Sequence, residues 1–139
     1  MSSTRFAVGV HVLAVLAVHD GETLPSAFLA ESVNTNPTFI RHVLGKLRKA
    51  RLVRCTLGKT GGARLAQPAR SIRLDRVYRA TESQPAVALH HSEPDRSCPV
   101  GRDIRRVLGG ITTRAQSSLL RELRRFTVAD VVAGLRRRA

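Results

Sequence analysis

Acidic residues are what this sequence lacks most: 139 residues carry ten aspartates and glutamates against twenty-four lysines and arginines, a formal net charge of +14. So little acid leaves scant material for paired-carboxylate chemistry, and no nucleophile elbow or HExxH motif is present, so an enzyme is not expected. Tryptophan is absent, and the four phenylalanines and one tyrosine all fall outside Arg41 to Arg64. That removes the stacking platform used in single-stranded RNA recognition and makes a basic RNA-binding or ribosome-associated protein the weaker alternative. Two cysteines, Cys55 and Cys98, make no disulfide framework. The longest apolar run, residues 6–18, is interrupted by His11 and is too short to span a bilayer. His19-Asp20-Gly21-Glu22 follows it in place of a small-residue cleavage site. Neither a membrane anchor nor export is expected, and the cytoplasm is the default compartment.

What is present is positive charge with a pattern. The isoelectric point near 11.7 points to a polyanionic partner. Arginine-rich codon usage can inflate a total, but it does not explain a local absence of acid. Between Arg41 and Arg64 stand eight basic residues (Arg41, Lys46, Arg48, Lys49, Arg51, Arg54, Lys59, Arg64) and no acidic one. A solvated face usually mixes signs, so this stretch is read as a nucleic-acid contact.

Hydrophobic periodicity organises the chain around that stretch. Residues 4–19 predict a very apolar first helix, ended by Asp20-Gly21; Pro25-Ser26 open a short second one, with Phe28, Leu29 and Val33 inward. Asn36-Pro37 restart a helix, asparagine as N-cap and proline at the first position, where its missing N–H costs nothing. Phe39, Ile40, Val43, Leu44 and Leu47 then recur at helical steps, leaving Thr38, Arg41, His42, Lys46 and Lys49 outside. Two helices joined by a tight polar turn, the second with a basic outer side, outline a helix-turn-helix.

The stretch Leu57-Gly58-Lys59-Thr60-Gly61-Gly62 copies the tail of a phosphate-binding loop, but the preceding glycine that motif needs is Val53, and no helix starts after the lysine. It is read as the tip of a hairpin, between strands at residues 52–56 and 63–66. A fourth helix over 75–82 closes this unit. A polar linker over 83–102 leads to a long helix over 103–126, with Ile104, Leu108, Ile111, Ala115, Leu119 and Leu123 on one stripe. So long an apolar stripe on so small a chain predicts a two-fold dimer. A last helix starts at Thr127 with Asp130 completing a capping box, and ends in a basic tail, Arg136-Arg137-Arg138. The domain boundaries are 1–82, 83–102 and 103–139.

These residues carry a resemblance. Asn36-Pro37-Thr38-Phe39-Ile40-Arg41 through Leu47-Arg48-Lys49-Ala50 and Leu52-Val53, then Gly58, Gly61-Gly62, Leu65-Ala66 and Pro68-Ala69, then Ile72, Leu74, Val77-Tyr78, Ala80 and Glu82, resemble the Rrf-two family of bacterial transcriptional regulators over essentially the whole chain. The resemblance implies a mainly α fold with one small β-hairpin: a winged helix-turn-helix plus a long C-terminal dimerisation helix. It further implies a homodimer that binds double-stranded operator DNA.

Cluster-binding relatives carry three cysteines in the linker and at the start of the long helix; here only Cys98 is present, and His90, His91, Glu93 and Asp95 around it lack a clean ligand spacing. The stretch Ser97 to Ile104 is similar instead to the cysteine-poor, YwnA-type branch, so no cofactor or metal is expected. Cys98, near Arg96 and Arg102 and close to a helix start, is a candidate redox sensor; the plain alternative is a small apolar filler. Thr38, Arg41 and His42 are the candidate base readers and Ser26 and Asn36 phosphate contacts, with Lys46, Lys49, Arg54, Lys59 and Arg64 adding charge. Many relatives place an arginine where this wing has Leu57, so Lys59 or Arg64 would have to replace its minor-groove contact.

Overall fold

The computed structural model describes residues 3–137; Arg138, the last arginine of the basic tail, lies outside them. Helix α1 spans Arg5–Val18, α2 Ser26–Val33 and α3 Pro37–Lys49. Strands β1 (Val53–Thr56) and β2 (Gly62–Leu65) pair antiparallel with Val53 opposite Leu65 and Thr56 opposite Gly62. A single 3-10 turn, Ala69–Ser71, leads into α4 (Leu74–Thr81), after which α5 runs Pro99–Leu123 and α6 Val128–Arg136.

Apolar content alone makes α1 the centre. Val8, Val12, Leu13, Ala14 and Leu16 are buried, and the helix packs on α2, α3, α4, α6 and β2. Gly9 gives room for the crossing with α4, since a Cβ there would sit 3.0 Å from Thr81 Cγ2 and 3.4 Å from Val77 Cγ1. Against it lies the inner face of α3, where Ile40, Val43, Leu44 and Leu47 are buried.

Local chemistry sets the turn between α2 and α3. Asn34 takes the left-handed conformation, φ 64°, ψ 52°, which asparagine tolerates better than most residues, and ends α2. Asn36 then caps α3 by accepting the Phe39 N–H on its side-chain oxygen at 2.8 Å, with Pro37 at the first turn. The hairpin is tied to this pair through its base. The Leu24 N–H donates to the Ala63 carbonyl (2.9 Å) and the Ala63 N–H returns to Leu24 (2.8 Å). Gly62 permits that approach, because a Cβ there would fall 2.2 Å from the Leu24 oxygen; Gly61 permits the hairpin turn, where a Cβ would fall 2.2 Å from the Thr56 oxygen.

Three features depart from the periodic reading. Phe28, expected inward on α2, is exposed, while Leu29 of the same helix is buried. Helix α5 begins at Pro99, not Asp103, because Pro99 fits the first helical position with Cys98 as its N-cap. Along α5, Ile104, Leu108, Leu119 and Leu123 are half-buried, whereas Ile111 and Ala115 are exposed together with Val100 and Val107. The apolar stripe is therefore split into a flank turned toward its own chain and a free one. At the end of α5 the chain turns back. The Thr127–Asp130 capping box forms as the sequence indicates, the Leu74 N–H donates to the Phe126 carbonyl (2.9 Å), and the Val128 N–H donates to Ile72 (2.9 Å). This return lays α6 on α1, and Val128 joins the same buried core as Leu13 and Leu47.

Glycine positions give a test of this packing. Gly62→Ala combines a left-sided φ of 156° with the Leu24 clash and is expected to lower stability by about 1–3 kcal/mol. Gly134→Ala, in α6 with nothing within 4 Å of the new Cβ, is expected to raise it by roughly 0.5–1 kcal/mol. Urea unfolding followed by circular dichroism measures both; equal midpoints for the two variants would contradict the wing geometry.

Candidate nucleic-acid interface

The interface is built outward from the buried side of α3. With Ile40, Val43, Leu44 and Leu47 held in the core, helical periodicity leaves Thr38, Arg41, His42, Arg48 and Lys49 exposed and Lys46 half-buried. Arg41 is steadied by its own helix, its guanidinium donating to Thr38 Oγ1 at 3.3 Å. The hairpin stands beside this face. Between them lies a cleft of about 650 Å³ whose lining includes Ser26, Arg41, Arg48, Thr56 and Lys59. Arg54 is exposed on β1, and Leu57, at the tip, is 95% exposed.

The sequence-predicted residues do not all face the same way. Ser26 lies half-buried at the start of α2, where its side chain lines the cleft. The Asn36 carbonyl oxygen is taken up in capping α3; its amide NH₂ keeps its donors. Arg64 is engaged with the fold, its guanidinium donating to Thr23 Oγ1 (3.0 Å) and to the Gly21 carbonyl (2.7 Å). It braces the wing's base on the loop before α2. Arg48 was not among the predicted site residues, yet it lines the cleft. Its position seven residues after Arg41, two turns along the same face, was the signal that could have found it.

A helix-turn-helix with a tied-down hairpin and an acid-free outer face defines a winged-helix DNA-binding protein. Residues 2–134 match the Rrf2 family, described as "Iron-dependent Transcriptional regulator". The chain is similar to YwnA of Bacillus subtilis (strain 168), which is named as an HTH-type transcriptional regulator: 33% identity over 132 residues, covering 95% of this chain and 97% of that one. A solved transcriptional regulator from Lactobacillus plantarum superposes with a TM-score of 0.82 at 27% identity, covering 96% of this chain and 90% of that chain. T. potens IscR superposes at 0.71 and 24% identity, covering 97% and 88%, a likeness of fold. The chain belongs to the Rrf2 family of DNA-binding transcriptional regulators, as the sequence resemblance implied.

The family description names iron, and the donor set here does not fit it. Cys98 precedes α5 while Cys55 lies on β1 of the wing, and both are free and exposed. Among the described residues no three His, Cys, Asp or Glu side chains gather into a ligand group. A cluster held by thiolates has one thiolate to work with at the linker, where relatives of the cluster-binding kind use three. Also among the described residues, no helix is long and apolar enough to cross a membrane.

The two cysteines differ in acidity. Backbone N–H groups of Gly101 and Val100, in the first turn of α5, hold the Cys98 thiol below its usual value. Partial burial pushes the Cys55 thiol up, with the Arg48 charge opposing. Because the thiolate is the nucleophile, a lowered value places the reactive form at lower pH. Iodoacetamide is therefore expected to label Cys98 ahead of Cys55 near neutral pH, the gap closing as pH rises. Peptide mass spectrometry over a pH series reads this; Cys55 labelling at the same rate at pH 7 would contradict the geometry at the head of α5.

Proposed function

We propose that this regulator acts as a homodimeric, sequence-specific repressor on a roughly palindromic operator, and that its response does not use an iron–sulfur cluster. The observation that carries the reading is the segregation on α3: its buried face fixes the helix in the core, and its basic face, joined by the wing, flanks one open cleft. Such a helix enters the major groove with its N-terminal residues at base edges. Thr38, Arg41 and His42 occupy those positions. A bidentate bond from Arg41 to guanine is worth about 1–3 kcal/mol of discrimination. Ser26, Lys46, Lys49, Arg54 and Lys59, with Arg48, meet phosphates, while Asn36 offers its amide at the start of α3.

Two unpaired apolar surfaces support the dimer. One is the free flank of α5, with Val100, Val107 and Ile111. The other is an apolar groove of about 660 Å³ along α1, lined by Phe6, Val10, Val15, Val18 and Leu135 among others. A two-fold axis lets each copy cover the other's groove, since an isologous interface makes every contact twice. Two α3 helices so related would read half-sites about 10 bp apart, or a multiple of that spacing. A dimer seated over a promoter excludes other proteins from it, which is the repressing mode.

Fluorescence anisotropy tests the reading, with the duplex adjoining the gene compared against random duplex and single-stranded RNA. Tightest binding to the adjoining duplex is expected, and equal affinity for RNA would overturn the proposal. Arg41→Ala is expected to cost about 1–3 kcal/mol on the operator and little on random DNA. Lys49→Ala should weaken both alike and reduce the salt slope by about one. Ile111→Asp is expected to give a folded monomer by light scattering, with operator affinity lost; an unchanged dimer mass would remove the α5 flank from the interface.

A further inference from the structure

After α4 the chain runs back along α5 in residues 82–98, and it does not seal against that helix. Ala86 donates its N–H to Gln116 Oε1 at 3.0 Å and Arg105 bonds Glu93 at 3.3 Å. Between these ties lies a cavity of about 620 Å³, within the range of small-molecule sites. Its chemistry has two sides. Val87 and Leu89 supply an apolar wall; His90 and His91 bring ring nitrogens and Arg105 a guanidinium; Thr112 and Gln116 are polar positions on the helix side. No aspartate or glutamate lines it.

We infer that this cavity binds a small organic anion with an apolar body, its acidic group toward Arg105 and the histidines and its body against Val87 and Leu89. Glu93 takes one N–H of Arg105 at 3.3 Å, which leaves the guanidinium's other N–H groups for a ligand; a chain of this charge favours negative ligands, and a hydrogen bond from a charged donor is among the stronger ones. The site is distinct from the proposed dimer contacts. At 100° per residue, Arg105, Gly109, Thr112 and Gln116 project from one side of α5, and Val100, Val107 and Ile111 from another. Self-association through that flank leaves the cavity open. An occupant would also sit beside a strategic side chain, because Gln116 Nε2 reaches the Tyr78 hydroxyl at 3.5 Å and the Tyr78 ring meets Phe6 of α1 edge-on at 5.6 Å between centroids.

The test uses the full-length protein and two fluorescent probes, 8-anilinonaphthalene-1-sulfonate and its neutral counterpart N-phenyl-1-naphthylamine, at high salt to suppress diffuse charge binding. Saturable binding of the sulfonate is expected, weakened about tenfold or more by Arg105→Ser, and the neutral probe should bind correspondingly worse. Gly109→Leu fills the cavity from a helix position where the nearest neighbour of a new Cβ is Leu89 Cδ1 at 3.7 Å; it should abolish the signal while circular dichroism shows the fold retained. Arg106→Ser, an exposed cation of the same helix outside the cavity lining, should leave it intact. No saturable binding, equal affinity for the neutral probe, or binding indifferent to Arg105→Ser and Gly109→Leu would each overturn the inference. None of these readings involves DNA, so they stand or fall apart from the operator.

Discussion

The fit of α3 against α1 is the constraint from which the rest follows. Four residues of α3 are locked into a core centred on Leu13 and Leu16, and this fixes the rotation of the helix about its own axis. A rotation of one residue position, about 100°, would carry charge into the core, and burying an unpaired charge is costly enough to forbid it. The charged face is thereby aimed by apolar packing alone. The wing inherits this aim: β2 is bonded to Leu24 beside α2, and Arg64 braces it on the loop before that helix.

Local signals made this part readable. The Asn36-Pro37 start, the three-and-four spacing after it and the paired glycines each act within a few residues, so the helix-turn-helix and hairpin were visible in sequence to within a residue or two at most boundaries. The capping box at Thr127 was equally plain. What escaped detection depends on residues far apart in the chain. Arg64 looked like one more cation in a basic run; that it reaches Gly21 and Thr23 follows from how the hairpin folds back. In the sequence the α5 stripe is one surface, because periodicity shows that a face is apolar without showing what covers it. Half of that face meets its own chain. The start of α5 is hidden for the opposite reason: Pro99, inside the linker expected over 83–102, has a fixed φ that also suits a first helical turn.

Charge and greasiness divide the labour along the chain. Basic side chains crowd α3 and the wing, where the fold leaves an open cleft, while α1 and α5 leave apolar surface that a single copy does not cover. The second kind of surface supports the proposed dimer, and the first the proposed contact with DNA. Among the residues described, neither surface gathers three His, Cys, Asp or Glu side chains that could hold a metal ion.

The return of α6 to α1 has an evolutionary corollary. The buried hydrophobic core passes from Val77 directly to Val128, with no member from the intervening segment. Beyond the end of α4, where Thr81 still packs on Gly9 and Glu82 still accepts the Phe6 N–H, that segment can change, thiolates included, without unfolding the reading head. A family described by its dependence on iron can for this reason contain a chain with a single cysteine there: the linker and α5 form a cassette clasped at both ends by a scaffold whose buried core does not draw on it.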